Sequence, residues 1–226
     1  SGQGQHWVGG TENGLMLTFG ASFTRDAFDV LRDRSETNII TGAPVPTSLI
    51  FPAKYFPESD VDETGVYVQA ELRVDRLTIV PGIRYDRYSL DANQEDAVYL
   101  AGLNPVPADF SADAMSPKIG ATVLITDDLT AHAQYAGGFR APPYSAINTG
   151  FTNLAGGYTT LPNAGLNAET SDNIEVGLRA ALGRTSLDVT AFSNRYDDFI
   201  ELTAVGFNPA TFLLEFQSQN LSEVEI

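Results

Sequence analysis

Residues Thr64–Val74 read TGVYVQAELRV. Thr64, Val66, Val68, Ala70, Leu72 and Val74 fall on one side, and Gly65, Tyr67, Gln69, Glu71 and Arg73 on the other. Apolar and polar residues thus alternate with a period of two, the mark of a strand with one apolar face. Leu77–Tyr88 repeats the pattern, with Leu77, Ile79, Pro81, Ile83 and Tyr85 against Thr78, Gly82, Arg84 and Asp86. Only Asp75 and Arg76 separate the two stretches, so they form a hairpin with a tight turn.

The unit recurs along the chain. Pro117, Ile119, Ala121, Val123 and Ile125 alternate with Ser116, Lys118, Gly120 and Thr122. Leu129, Ala131, Ala133, Tyr135 and Phe139 alternate with Thr130, His132, Gln134 and Arg140. Ile174, Val176, Leu178 and Ala180 alternate with Asn173, Glu175, Gly177 and Arg179, and Leu15–Thr24 behaves likewise. About eight strands are expected, the last beginning near Phe212. Turns after Val74, Ile125 and Leu182 are near the hairpin minimum, whereas about Asp33–Glu63, Asp91–Ala114 and Ala141–Ala168 are long connections.

Short turns at one end and long loops at the other describe an all-β, antiparallel transmembrane barrel with its long loops extracellular. A water-soluble sandwich also alternates. Two details favour the membrane. The strands have about the 9–11 residues of a tilted span, and Phe23, Tyr85, Tyr135 and Phe139 suggest an aromatic row at one level. Gln5–Gly10 reads as the tail of an earlier strand and Ser222–Ile226 stops in mid-pattern. The expectation is therefore a slice, residues 1–226, of one larger barrel domain.

Thirteen basic side chains against 29 acidic ones give a net charge of −16, which opposes a nucleic-acid partner. At 43% hydrophobic and 19% charged residues the chain is too apolar for disorder. Having no cysteine, it has no thiol chemistry or disulfides. No apolar run approaches the ~20 residues of a membrane helix.

Asp60, Asp62, Thr64, Gly65 and Glu71 match the spacing of an EF-hand calcium loop, but such a loop leads into a helix and this segment alternates as a strand. Of the two histidines, His132 lies on a polar strand face beside Gln134 and Thr130, which suits a luminal hydrogen bond better than catalysis. No G-x-S-x-G, phosphate loop or H-E-x-x-H is present. Gln69, Glu71, Arg84, Lys118, His132, Glu175 and Arg179 are expected to face the lumen of the barrel.

At Gly138–Pro142 (GFRAP) and Pro162–Arg179 (PNAGLNAETSDNIEVGLR) the chain resembles TonB-dependent outer-membrane receptors, most of all those that take heme or iron from host proteins such as hemoglobin. GVYVQAEL, IVPGIRYDRY, SPKIGA and FSNRYDDFIEL support the resemblance, which runs from about Leu15 onward. It implies a 22-stranded barrel around a globular plug. It also implies cargo such as heme or a ferric chelate, supplied by an extracellular carrier and imported with energy delivered through TonB. The lumen-facing residues would then contact the plug of the same parent chain.

In the heme branch a loop between a FRAP box and an NPNL-like box carries an axial ligand. Phe139, Arg140 and Pro142 correspond to the first box, and Pro162, Asn163 and Leu166 to the second. No histidine lies in Ala141–Leu161, so Tyr144 and Tyr158 are the heme-ligand types available there, or else ordinary loop aromatics. These eight residues are the expected ligand-binding set. A ferric-siderophore receptor, a passive porin and, last, an outer-membrane protease or lipase are the competing readings.

Overall fold

In a computed structural model, which describes residues 1–9, 13–46, 51–102 and 104–225, the chain forms one sheet of eleven strands. They are β1 (Gly2–Gly9), β2 (Asn13–Phe28), β3 (Ser59–Val74), β4 (Leu77–Ala92), β5 (Phe110–Thr126), β6 (Leu129–Arg140), β7 (Phe151–Asn153), β8 (Tyr158–Leu161), β9 (Glu169–Leu182), β10 (Thr185–Asn208) and β11 (Leu213–Glu225). Two short helices, α1 (Ala97–Ala101) and α2 (Tyr144–Asn148), lie in the connections. The order is β1-β2-β3-β4-β5-β6-β9-β10-β11-β8-β7, antiparallel throughout except for the β11–β8 pair.

The register steps steadily across the sheet. Val74, at its turn, stands opposite Leu77; Leu77 stands opposite Val123, Val123 opposite Ala131, and Ala131 opposite Leu178. Leu178 is four residues short of Leu182, where β9 turns into β10. The turns therefore slide along the ladder from hairpin to hairpin. That stagger accompanies strand tilt in a barrel wall.

Cross-strand partners share a face, and the two faces differ in kind. Phe19, Val68 and Ile83 form one continuous rung, as do Ile119 with Tyr135 and Ile174, and Leu178 with Val189. Apart from Tyr135, these residues are exposed although they are large and apolar. An apolar band this extensive is far more than a soluble monomer presents to water and suits contact with lipid. The turns are as short as expected, with Asp75 and Gly183 in the left-handed region at φ 53 and 65. Asn13 supports the first by accepting a hydrogen bond from the Asp75 amide through its side chain (3.0 Å).

Three expectations need revision. The barrel strands run further than their alternating stretches: β3 already begins at Ser59, so the acidic run Asp60–Glu63 is strand rather than loop, and Asp62 pairs with Arg25 on β2. β1 is a full strand, making nine long strands among the described residues rather than eight. The connection Ala141–Ala168 is not structureless, because it holds α2 and the β7–β8 hairpin. The expected strand tail Gln5–Gly10 ends at Gly10, which lies outside the described residues.

Only one buried apolar cluster forms among the described residues, and it lies at the loop end. Val61, Tyr88, Leu90, Ile147 and Leu166 make it, with Phe28, Phe110, Tyr144 and Ile200 against it. Val61 and Tyr88 point to the same face as Gln69 and Arg84, being an even number of residues away on their strands. The loops thus fold onto the polar face and cover its outer end.

Candidate functional site

The seven residues expected to be luminal share one face. Tyr67 stands opposite Arg84, which stands opposite Ser116; Gln69 faces Gly82, which faces Lys118; Gln134 faces Glu175; and Arg179 faces Asp188. Glu71 takes an ion pair from Arg73, Arg84 one to Asp86 (2.6 Å), and Arg179 one to Asp188 (2.6 Å). Glu175 accepts from Gln134 at 3.1 Å and lies 3.5 Å from His132. Opposite charges are thus paired two residues apart along β3 and β4 and across the β9–β10 pair, and they stay partly exposed.

Glycines set the relief of this wall. Tyr67 lies over Gly20, Lys118 over Gly82 and His132 over Gly177, each long side chain directly opposite its glycine. A Cβ at Gly20 would come within 2.6 Å of the Tyr67 ring, and one at Gly82 within 2.9 Å of the Lys118 stem. The side chains lie flat along the sheet because the glycines leave room for them.

At the outer end a cleft of about 520 Å³ opens between β2, β3, β4 and the start of the β6–β9 connection, lined by Asp26, Glu63, Arg84, Tyr88, Phe139, Arg140 and Tyr144 among others. Arg140 pairs with Glu169 (3.2 Å), whose nearly buried carboxylate also accepts from the Ile200 amide at 2.6 Å. One carboxylate thereby ties β6, β9 and β10 together where the loop departs.

The expected ligand-binding set divides here. Arg140 and Tyr144 line the cleft; Phe139 borders it too, although its register opposite Thr170 sets it on the apolar face of β6 with Tyr135. Pro142 and Leu166 are buried, Leu166 in the apolar cluster that Tyr144 packs against. Tyr144 stacks on Phe28 (4.1 Å between ring centres) and meets Phe56 edge-on. Tyr158 lies elsewhere, between Phe151 and Phe216. Pro162 and Asn163 are stitched to β11: Gln217 donates to the Pro162 carbonyl (2.7 Å) and the Asn163 amide to the Ser218 carbonyl (2.8 Å). These two residues of the second box are thus bonded to β11.

Sequence reading passed over the residues that hold these loops to one another. Asn148, on α2 and 2% exposed, donates to the Ala108 carbonyl (2.8 Å) and accepts from the Ala108 amide (2.9 Å). Tyr99, on α1 and fully buried, donates its hydroxyl to the Asn148 carbonyl (2.8 Å), and burial pushes its pKa up to about 12. Lys54 pairs with Asp29 (2.6 Å) and Asp96 (2.9 Å), and Asp96 caps α1 at the Val98 and Tyr99 amides and accepts from the Glu58 amide. Burial works to raise the Asp96 pKa, but the Glu58 amide, Lys54 and the Tyr99 amide outweigh it and leave it below the usual carboxylate range. A chain of rings, Tyr55–Phe151–Tyr158–Phe216, completes the lock from the β2–β3 loop to β11. The one available signal was Asp96 ahead of an apolar run, an N-cap pattern.

Comparisons with known proteins agree with this architecture. The whole chain, residues 1–226, matches the family described as TonB dependent receptor-like, beta-barrel. A hemoglobin and hemoglobin-haptoglobin-binding protein B of Haemophilus influenzae is 35% identical over 94 residues, covering 42% of this chain and 9% of that protein. The hemoglobin-haptoglobin utilization protein B of Neisseria meningitidis is 30% identical over 135 residues, covering 58% and 16%. The chain thus spans a small part of the curated relatives it matches. Among solved structures, the Serratia marcescens hemophore receptor HasR, in complex with HasA and heme, superposes with a TM-score of 0.73 at 18% identity, over 99% of this chain and 37% of that one. The siderophore receptor PirA of Pseudomonas aeruginosa does so at 0.67 and 20%, with the same coverage. With one face apolar, the other polar and covered by loops, and the family match running from first residue to last, the chain belongs to the TonB-dependent receptor β-barrel family and is a stretch of the wall that crosses the bacterial outer membrane.

Proposed function

We propose that this wall belongs to a receptor that takes heme or an iron complex from an extracellular carrier and imports it, without covalent change to the cargo. The observation that carries the reading is the inward-folded mouth: three long loops interlock over the polar face and leave a cleft edged by Arg84, Arg140, Tyr88 and Tyr144. Aromatic rings suit a flat macrocycle, and Arg140, whose side chain is 64% exposed while it pairs with Glu169, suits a carboxylate of heme or an anionic arm of a ferric chelate. Arg140 and Tyr144 would touch the cargo, with Phe139 at the border of the cleft and Pro142 and Leu166 buried in support. Tyr158, Pro162 and Asn163 hold the loop to β11. Gln69, Glu71, Arg84, Lys118, His132, Glu175 and Arg179 would face a plug from the same parent chain, which would in turn engage TonB.

A ferric-siderophore cargo is the second reading, favoured by the absence of histidine between Ala141 and Leu161. The test is growth of a heme-auxotrophic, receptor-deficient strain carrying the full-length parent. Growth on hemin or hemoglobin that requires TonB supports heme import. Uptake of a ferric siderophore alone selects the second reading. TonB-independent entry of small solutes would indicate a passive porin.

A further inference from the structure

β10 is 24 residues long, far beyond the ~10 that cross a bilayer, so its upper half and β11 rise as a hairpin above the membrane. At ~3.3 Å per residue and a tilt near 45°, the tip stands roughly 30 Å above the lipid. That tip is apolar. Phe207 is 54% exposed and Phe212 76%, their rings 6.2 Å apart edge-on, and Leu214 stands opposite Phe207. The β7–β8 turn adds exposed Leu154, because β8 starts opposite Leu214 and the Leu214 amide donates to the Gly157 carbonyl (3.0 Å).

Phe212 also has φ 57. A bulky aromatic in the left-handed region is strained, and here the ring gains little burial in return. The turn is otherwise well built. The Phe212 amide donates to the Asn208 carbonyl (2.8 Å), and the Asn208 side chain accepts from the Ala210 amide and donates to Glu215. Between Tyr196 and Ser222 the hairpin carries Asp197, Asp198, Glu201 and Glu215 and no basic residue. A strained, exposed aromatic pair on a rigid acidic hairpin, beyond reach of lipid, has the makeup of a binding anchor.

We propose that the tip formed by Phe207, Phe212, Leu214 and Leu154 docks a folded protein, the carrier of the cargo, at an apolar pocket rimmed by Lys or Arg. The identity of that protein as a heme carrier rests on the heme-uptake reading; the docking surface itself does not. The cleft below receives the small cargo, and the tip holds its carrier.

The decisive variant is Phe212→Gly in the full-length parent on whole cells, because glycine relieves the left-handed backbone while removing the ring. Hemoglobin is the probe, with hemin as the carrier-free control. The expected result is hemoglobin binding weakened at least tenfold, growth on hemin unchanged, and resistance to thermal unfolding equal to or above wild type. Phe207→Ser should weaken hemoglobin binding likewise, and Glu215→Gln, which removes the acid beside the tip and keeps an acceptor for Asn208, should flatten its salt dependence. Phe212→Cys should react with a membrane-impermeant maleimide on intact cells. Hemoglobin binding within twofold of wild type in both ring-removing variants, or an unreactive Phe212→Cys, overturns the proposal. A wild-type parent that grows on hemin but binds no hemoglobin overturns the carrier assignment alone; one that uses neither defeats the heme reading beneath it.

Discussion

Asn148→Ala in the full-length parent removes both hydrogen bonds between the β6–β9 loop and Ala108, at 2.8 and 2.9 Å, without touching the backbone carbonyl that receives Tyr99. Asn148 is almost fully buried, so no water replaces its side chain easily. Each backbone group left without a partner costs about 1–3 kcal/mol, and Ala108 is only half-buried, so a total of about 2–4 kcal/mol follows. At 1.4 kcal/mol per tenfold, local opening becomes roughly 30- to 700-fold more frequent. Hydrogen exchange of peptides covering residues 104–110 and 144–150 reads this directly. Both should speed up together, because one side chain joins them, while β3 and β4 peptides keep their wild-type protection. Exchange within threefold of wild type in both peptides would refute the claim that the loops form one interlocked body.

The same body should respond to pH. The Asp96 pKa is depressed in the fold, so its contribution is present above the unfolded carboxylate value and fades as pH falls through the folded one. The Lys54 pKa is raised, since its bonds to Asp29 and Asp96 outweigh the opposing effect of burial, and that contribution fades only at high pH. Tyr99, raised to about 12, stabilises fully below pH ~10 and loses its effect as pH climbs toward 12, so loop proteolysis should rise in that window and Tyr99→Phe should remove that component. On the wall, Gly177→Ala should lift His132 into the lumen and slow uptake while leaving surface binding intact, and His132→Ala should restore it. Gly120→Ala should be silent, since a Cβ there meets nothing within 4 Å. If heme is the cargo, Tyr144→Phe should shift the absorption spectrum of the hemin-loaded parent, whereas Tyr158→Phe and His132→Ala should not.

What the sequence made legible was whatever repeats with period two. Val66–Val74 and its hairpin partner declared both faces because lipid and lumen impose opposite demands on alternate residues. The mouth obeys no such rule. Tyr88 and Leu90 continue a luminal series that is polar at Arg84 and Asp86, and they turn apolar because α2 and Leu166 fold down onto them. That contact joins residues more than fifty positions apart and leaves no local trace. Pro142 and Leu166 sit in recognisable boxes, but a motif does not tell a residue that is buried where the loop is fastened from one that stays open to the cleft. The β7–β8 hairpin was hidden because its strands are three and four residues long and owe their pairing to the edge of β11.

Which face meets lipid decides whether this chain is a transmembrane wall. Val68 lies six residues above the Val74 turn, near the middle of the span, and its neighbour Gln69 points the other way; Leu72, only two residues from that turn, lies too close to the interface to decide the matter. Reversible folding of the full-length parent into bilayers, followed for Val68→Arg and Gln69→Arg, compares the two faces at one depth. Val68→Arg should cost about 2–4 kcal/mol and Gln69→Arg much less. Equal costs, or a larger one for Gln69→Arg, would contradict a transmembrane wall with its apolar face in the lipid.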